Sequence, residues 1–295
     1  HSSSPTSEIL MADTDSSGIS FTAYYTSEVW RQHGLSAPAF DSTEGRALFW
    51  LGRPLEKFAQ HVLGIGNDIM LLQRHQIIDD IVRRAIRDEG VTQIVEIACG
   101  LSPRGTRFCA EFPQITYLEA DLPGMARHKE RLLANSGLLD DRHRIRAINI
   151  LEQGKPEALD TVFLRELDHG RKTLVITEGL VNYFDLATIK GFWNRLAAVL
   201  STYPDGIYVT DLYPDFKWHP VTRFVDTFIH GLAFATRSRV SLHFRTEDSI
   251  RQGFRECGFG QTIVHIPESY YDVLPIPVQR MPSLVRVLEN RIRPL

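Results

Sequence analysis

The sequence predicts an α/β protein: a mostly parallel, Rossmann-like sheet with helices on both faces and a helical segment ahead of it. Three observations carry this. Beyond Gly90, short apolar runs such as 93–98 (QIVEIA), 174–177 (LVIT) and 206–210 (GIYVT) alternate with stretches of helical periodicity. That alternation implies parallel pairing, because each parallel step needs a long crossover, and right-handed crossovers place helices on both faces. The first third, from Phe21 to about Arg87, lies outside the alternation. It is helical, with apolar residues recurring through Tyr24, Tyr25 and Val29 and again through Ile77, Ile78, Ile81, Val82 and Ile86.

Taken in order, Gly34, Pro38, Gly52-Arg53-Pro54 and Gly64-Ile65-Gly66 cut the leading segment into short helices. The run 93–98 is a buried strand closed by Cys99-Gly100-Leu101-Ser102-Pro103. A helix over 104–112, a strand over 115–120, a helix over 127–136 and a short strand over 144–148 follow. The strand 174–177 comes next, and Asp185 is a good N-cap for an amphipathic helix running to about 202. After the strand 206–210, Thr246 with Ser249 opens a helix ended by Gly258-Phe259-Gly260, and 262–266 is a late strand. The chain thus divides into a frayed polar terminus or tag remnant over 1–20, a helical cap over 21–90, and the sheet domain over 91–295. An insertion around 212–245 is assigned to ligand recognition. The cap is expected over the carboxyl edge of the sheet, where α/β sheets bind ligands.

Bulk properties narrow the partners. A formal net charge of −3 supplies no basic excess to neutralise phosphates, which argues against a nucleic-acid partner. Cys99, Cys109 and Cys257 are too few for a disulfide framework and form no CxxC pair, so reduced thiols and a cytoplasmic location are expected. No apolar run approaches the about 20 residues of a membrane span, and His1-Ser2-Ser3-Ser4-Pro5 has no apolar signal core behind it.

Chemistry concentrates where strands end. In Val95-Glu96-Ile97-Ala98-Cys99-Gly100, the small residues let a ligand approach the backbone, and Gly100 supplies the conformational freedom. Glu96, Ala98 and Gly100 are therefore candidate cofactor contacts. The second strand ends in Glu119-Ala120-Asp121, about 20 residues beyond the turn, where a doubly wound fold holds a ribose diol. Either carboxylate suits two hydroxyl hydrogen bonds. A phosphate-cradling GxGxxG is missing, which favours an adenosine cofactor without pyrophosphate over NAD. Glu178 directly follows the buried strand 174–177 and reaches the same edge.

The turn EIACGLSPRG, the segment YLEADLPGMARHK and the stretch ITEGLVNYF together resemble the leucine carboxyl methyltransferase family. They are most similar to its tetracenomycin-type polyketide O-methyltransferase branch, as is ISFTAYYTSEVWRQHGLS at the N-terminus. The resemblance spans roughly residues 19–215. It implies a class I methyltransferase fold with an added helical cap, S-adenosylmethionine as cofactor and S-adenosylhomocysteine as product. By the same resemblance Arg74, in LLQRHQIIDD, pairs with the cofactor's methionyl carboxylate. Asp121 rather than Glu119 binds the ribose, Asn149 and Ile150 contact adenine, and Glu178 lies near the methionyl amino group. Asn149 stands where the family usually has aspartate. Ala98 stands where the leucine-methylating branch has glycine, which argues against a protein C-terminus as substrate.

The expected acceptor is a carboxylate or phenol oxygen of a small molecule, polyketide-like by the resemblance. Phe21, Tyr24, Tyr25 and Trp30 at helical spacing, with Tyr183, Tyr213, Phe216 and Trp218, are candidates for an aromatic wall around it, although such stripes also build cores. Arg237, Arg239 and Arg245 suit an acidic substrate or a solvated face. No histidine has metal-ligand spacing, so no metal is expected. His219 and His243 are the candidate bases. Two rival readings are a regulatory protein that binds the cofactor without catalysis and an NAD-dependent oxidoreductase.

Overall fold

The computed structural model describes residues 23–47, 49–50, 67–215 and 241–295. The strands are β1 (Gln93–Ile97), β2 (Thr116–Asp121), β3 (His143–Ala147), β4 (Thr173–Thr177), β5 (Ile207–Leu212), β6 (Gln261–His265) and β7 (Arg286–Arg291). They form a 7-stranded sheet in the order β3-β2-β1-β4-β5-β7-β6. β1 to β5 pair in parallel, whereas β7 runs antiparallel to both β5 and β6. The predicted α/β sheet is therefore the observed one, with an antiparallel end.

Burial on both faces explains why the central strands are rich in apolar residues on alternate and adjacent positions alike. Val95, Ile97 and Val175 pack on one side against Phe192, Trp193 and Leu196 of the helix Leu186–Leu200. Ile94, Leu174 and Ile176 point the other way, onto Ile77, Ile78 and Ile81 of the helix Asn67–Glu89. Of the stretch assigned to a cap, this long helix thus lines a face of the sheet, while residues 23–32 form a separate leading helix. Local signals set the ends. Asp185 accepts the Thr188 N–H, and Thr246 and Ser249 form a reciprocal capping box. The helix expected from 127 begins at Pro123, whose fixed φ suits the first helical turn.

Among the described residues, one α-helix and one strand escaped the sequence reading. The helix Leu159–Glu166 is short, and β7 (RVLENR) carries charged residues along a buried strand. Those charges are satisfied from elsewhere in the chain: Arg291 pairs with Glu89 at 2.6 Å as well as with Glu289. Asn290 donates to the Tyr208 carbonyl.

Helix Arg104–Glu111 packs closely on the sheet because Gly105 has no side chain. A Cβ there would lie 2.1 Å from Glu119 Oε1 and 2.6 Å from His143 Nε2. Gly105→Ala is expected to destabilise the fold by about 1–3 kcal/mol, the cost of overpacking a core, despite a helix-propensity gain of about 1 kcal/mol. Thermal unfolding measures this, and an unchanged midpoint would mean that Glu119 and His143 move aside freely. All three cysteines are buried and unpaired. Among the described residues no helix is long and apolar enough to cross a membrane.

Candidate active site

The chain leaves β1 through two left-handed residues, Ala98 at φ 53° and Gly100 at φ 48°. That conformation is strained for Ala98 and ordinary for glycine. A side chain at Gly100 would meet Ala23 Cβ at 3.3 Å, so the leading helix lies directly on this turn. Asp121, the last residue of β2, reaches the turn from the neighbouring strand. Its Oδ2 accepts the Gly100 N–H and its Oδ1 the Leu122 N–H, both at 2.7 Å. Burial pushes the Asp121 pKa up, against the pull of those two amides. Each carboxylate oxygen keeps acceptor capacity after one such bond.

Glu119 is on the same face of β2 but one pleat deeper, fully buried against Lys129 at 2.6 Å and His143 at 3.3 Å. Burial would raise its carboxyl, yet Lys129 and His143 hold it below its usual range. Of the two candidate acids, Asp121 is therefore the one at the sheet edge.

A second group forms where β4 and β5 end. Arg74 donates through Nε to Glu178 Oε1 and through Nη1 to Asp211 Oδ2, each at 3.1 Å. Glu178 Oε2 takes His75 Nδ1 at 2.8 Å and Arg104 Nη2 at 2.6 Å. Burial works against the charge of Glu178, but His75, Arg104 and Arg74 keep its carboxyl well below the usual range. Asp211 also accepts the Gly179 N–H, at 2.6 Å. Sequence reading did not single out Asp211, although it stands at the carboxyl end of a buried strand as Asp121 does.

Beneath the edge, Arg104 is fully buried and donates to Asp79 at 2.6 Å, to Glu96 and to Glu178. Glu96, expected to face the cofactor, faces this network instead. One oxygen takes Arg104 and the other the Tyr117 hydroxyl at 2.6 Å, and at 1% exposure it has no surface left for a ligand. The reason is strand alternation, which points residue 96 into the helix layer beside Ile94. His75 lies between these charges, with Nδ1 2.8 Å from Glu178 Oε2 and Nε2 2.7 Å from Arg107 Nη2, and Trp30 of the leading helix lies over its ring, 4.7 Å between centroids.

The remaining candidates are dispersed. Asn149 Oδ1 accepts the Leu151 N–H at 3.0 Å, and the Ile150 carbonyl accepts from Arg195. Tyr24 bonds His128 at 3.3 Å and Tyr25 bonds Asp68 at 2.7 Å, while Tyr183 lies in the turn that follows Glu178. His243 donates from Nε2 to the Phe184 carbonyl at 2.8 Å, and burial lowers its pKa. It therefore ties the chain to the loop after β4. Asn182 does the same work more widely, bonding the Tyr213 backbone and the Ser241 carbonyl. Tyr213 packs with Met70 and Leu284, and Arg245 pairs with Asp215 at 3.3 Å. Phe21, Phe216, Trp218, His219, Arg237 and Arg239 lie outside the described residues.

The sequence model of the leucine carboxyl methyltransferase family matches residues 54–196, the stretch that supplies Arg74, the β1 turn, Asp121 and Glu178. The sheet and the helices around it form the Rossmann-like fold of class I methyltransferases. Solved structures share its fold at low identity. One is a protein from Thermobifida fusca YX described as a methyltransferase, at TM-score 0.56 and 16% identity, covering 85% of this chain and 89% of that one. Another, from Nostoc punctiforme PCC 73102, is described as an O-methyltransferase, at TM-score 0.50 and 14% identity, covering 75% and 57%. A third is PigF with SAH, at TM-score 0.50 and 14% identity, covering 85% and 75%. This chain thus spans less than two thirds of the Nostoc protein. No curated protein sequence matches it.

Proposed function

We propose that this domain moves a methyl group from S-adenosylmethionine onto a carboxylate or phenol oxygen of a small, polyketide-like acceptor held beneath the leading helices. The observation that carries the reading is Asp121 beside the Gly100 turn. A carboxylate at the end of β2, anchored by two backbone amides and still able to accept, suits a ribose diol. Arg74 would take the methionyl carboxylate and Glu178 would lie toward the amino group. Asn149 and Ile150 would border adenine, and Ala98 and Gly100 would give the backbone approach.

When bound, the cofactor supplies an electrophilic methyl carbon on a sulfonium. The contribution of the chain is then mainly positioning, for which effective molarities are large. Ala23 against Gly100 sets the leading helix over the turn. This supports an acceptor enclosed by Tyr24, Tyr25 and Tyr183 with water excluded; most of the insertion around 212–245 lies outside the described residues. A carboxylate acceptor is already ionised at neutral pH and needs no base, whereas a phenol, with pKa of about 10, gains from one. The description of the Nostoc neighbour as an O-methyltransferase supports oxygen as the receiving atom. The buried unpaired thiols suit the reducing cytoplasm.

Incubation with methyl-labelled cofactor and a panel of small acids and phenols, read by mass spectrometry, is expected to label at least one acceptor on oxygen. Calorimetry is expected to show binding of S-adenosylmethionine and S-adenosylhomocysteine but not NAD. Binding of NAD alone would overturn the cofactor reading, and cofactor binding without transfer to any acceptor would favour a regulatory protein.

A further inference from the structure

We propose that Asp211 is a positioning residue that fixes the Arg74 guanidinium against the turn at Gly179, in the orientation that receives the cofactor's carboxylate. The inference rests on the reading of Arg74 given above. Asp211 is the penultimate residue of β5 and 1% exposed. Its two oxygens do different things: Oδ1 accepts the Gly179 N–H at 2.6 Å and Oδ2 accepts Arg74 Nη1 at 3.1 Å. One carboxylate therefore ties together the turn after β4 and an arginine on the helix Asn67–Glu89.

The contact is close enough to shape both partners. Gly179 has φ 69°, and a Cβ there would lie 2.8 Å from Arg74 Nη2, so the guanidinium lies against the turn itself. Glu178 Oε2 is already taken by His75 and Arg104, so Glu178 offers Arg74 only Oε1 and cannot fix the whole fork in bidentate fashion. Asp211 supplies the second anchor, holding Nη1 while Nε stays on Glu178 at 3.1 Å. The Nη2 edge remains over the Gly179 turn, at the carboxyl edge of the sheet. An arginine held beforehand loses less side-chain freedom when a ligand arrives, which is the usual gain from preorganisation.

The test is a double-mutant cycle read as Kd by calorimetry, using S-adenosylhomocysteine and 5′-methylthioadenosine, which lacks both the carboxylate and the amino group. Asp211→Asn is expected to weaken S-adenosylhomocysteine about tenfold, as for one hydrogen bond to a charged group. It should leave methylthioadenosine within about twofold, and in an Arg74→Ala background it should add less than about twofold. Arg74→Lys keeps the charge but cannot bridge Glu178 and Asp211. It is expected to reproduce the selective loss, and it serves if Asp211→Asn does not fold. Equal weakening of both ligands would mean a general structural role and overturn the proposal, as would an undiminished Asp211→Asn effect without Arg74. An unchanged Kd in Arg74→Ala would remove Arg74 from the cofactor site and this inference with it. Labelled transfer to an acceptor tests the proposed function separately.

Discussion

Arg104→Met is expected to destabilise the protein by about 3–5 kcal/mol at neutral pH, the scale for removing one partner of a buried ion pair. Arg104 is fully buried among Asp79, Glu96 and Glu178. Burial disfavours its charge, but those carboxylates raise its pKa well above the ordinary value. Methionine fills similar space and leaves the carboxylates facing one another without their common cation. Arg107, 2.7 Å from Asp79, relieves only part of this.

The same cluster gives the pH dependence. Burial would raise Asp79, yet His75, Arg104 and Arg107 lower its pKa to about 2, and Glu178 is also held well below its usual range. A carboxyl depressed in the folded state stabilises above its unfolded pKa of about 4, and that stability is lost as the pH falls through the folded value. The wild type should therefore lose this contribution between about pH 4 and pH 2. Arg104→Met has already lost it, so its deficit in urea unfolding should be largest near pH 7 and shrink below about pH 4. A deficit independent of pH would show that packing, not charge, is what Arg104 contributes.

Asp121→Ala is expected to weaken S-adenosylhomocysteine binding by about 1.5–3 kcal/mol, or about 10- to 150-fold in Kd. The carboxylate offers acceptors at the sheet edge and also fixes the Gly100 amide at 2.7 Å, so its loss affects both the diol and the turn. Glu119→Ala should behave differently. It strands the fully buried Lys129, 2.6 Å away, and is expected to lower the melting temperature while changing Kd less. Calorimetry and thermal unfolding on the two variants separate these effects. An equal or larger loss of affinity at Glu119 would show that the wrong carboxylate has been assigned to the ribose.

Period and composition alone make the central strands legible. β1, β4 and β5 are buried on both faces, so most of their positions are apolar or β-branched, and such runs stand out between helical stretches. The caps at Asp185 and Thr246 are equally local, because a side chain that bonds an amide three residues on needs no tertiary partner. β7 was not legible for the opposite reason. Its Arg291, Glu289 and Asn290 are compatible with burial because Glu89, His265 of β6 and Tyr208 supply partners from distant parts of the chain.

The candidate site divides in the same way. The sequence by itself determined the glycine turn after β1 and the acidic ends of β2 and β4, since each follows a recognisable strand. Only the tertiary structure decided what each carboxylate does. Strand alternation puts Glu119 and Asp121 on one face of β2, and their difference is depth: one meets a buried lysine, the other the turn of the adjacent strand. Glu96 is drawn into the core by Arg104, a partner brought close by helix packing around Gly105. Asp211 acquires its contacts from Arg74 and Gly179, 137 and 32 residues away in the chain. A pattern of residue types records which side chains can ionise. Whether such a side chain faces a ligand or another charge is set by which distant segments the sheet order and the helix packing bring beside it.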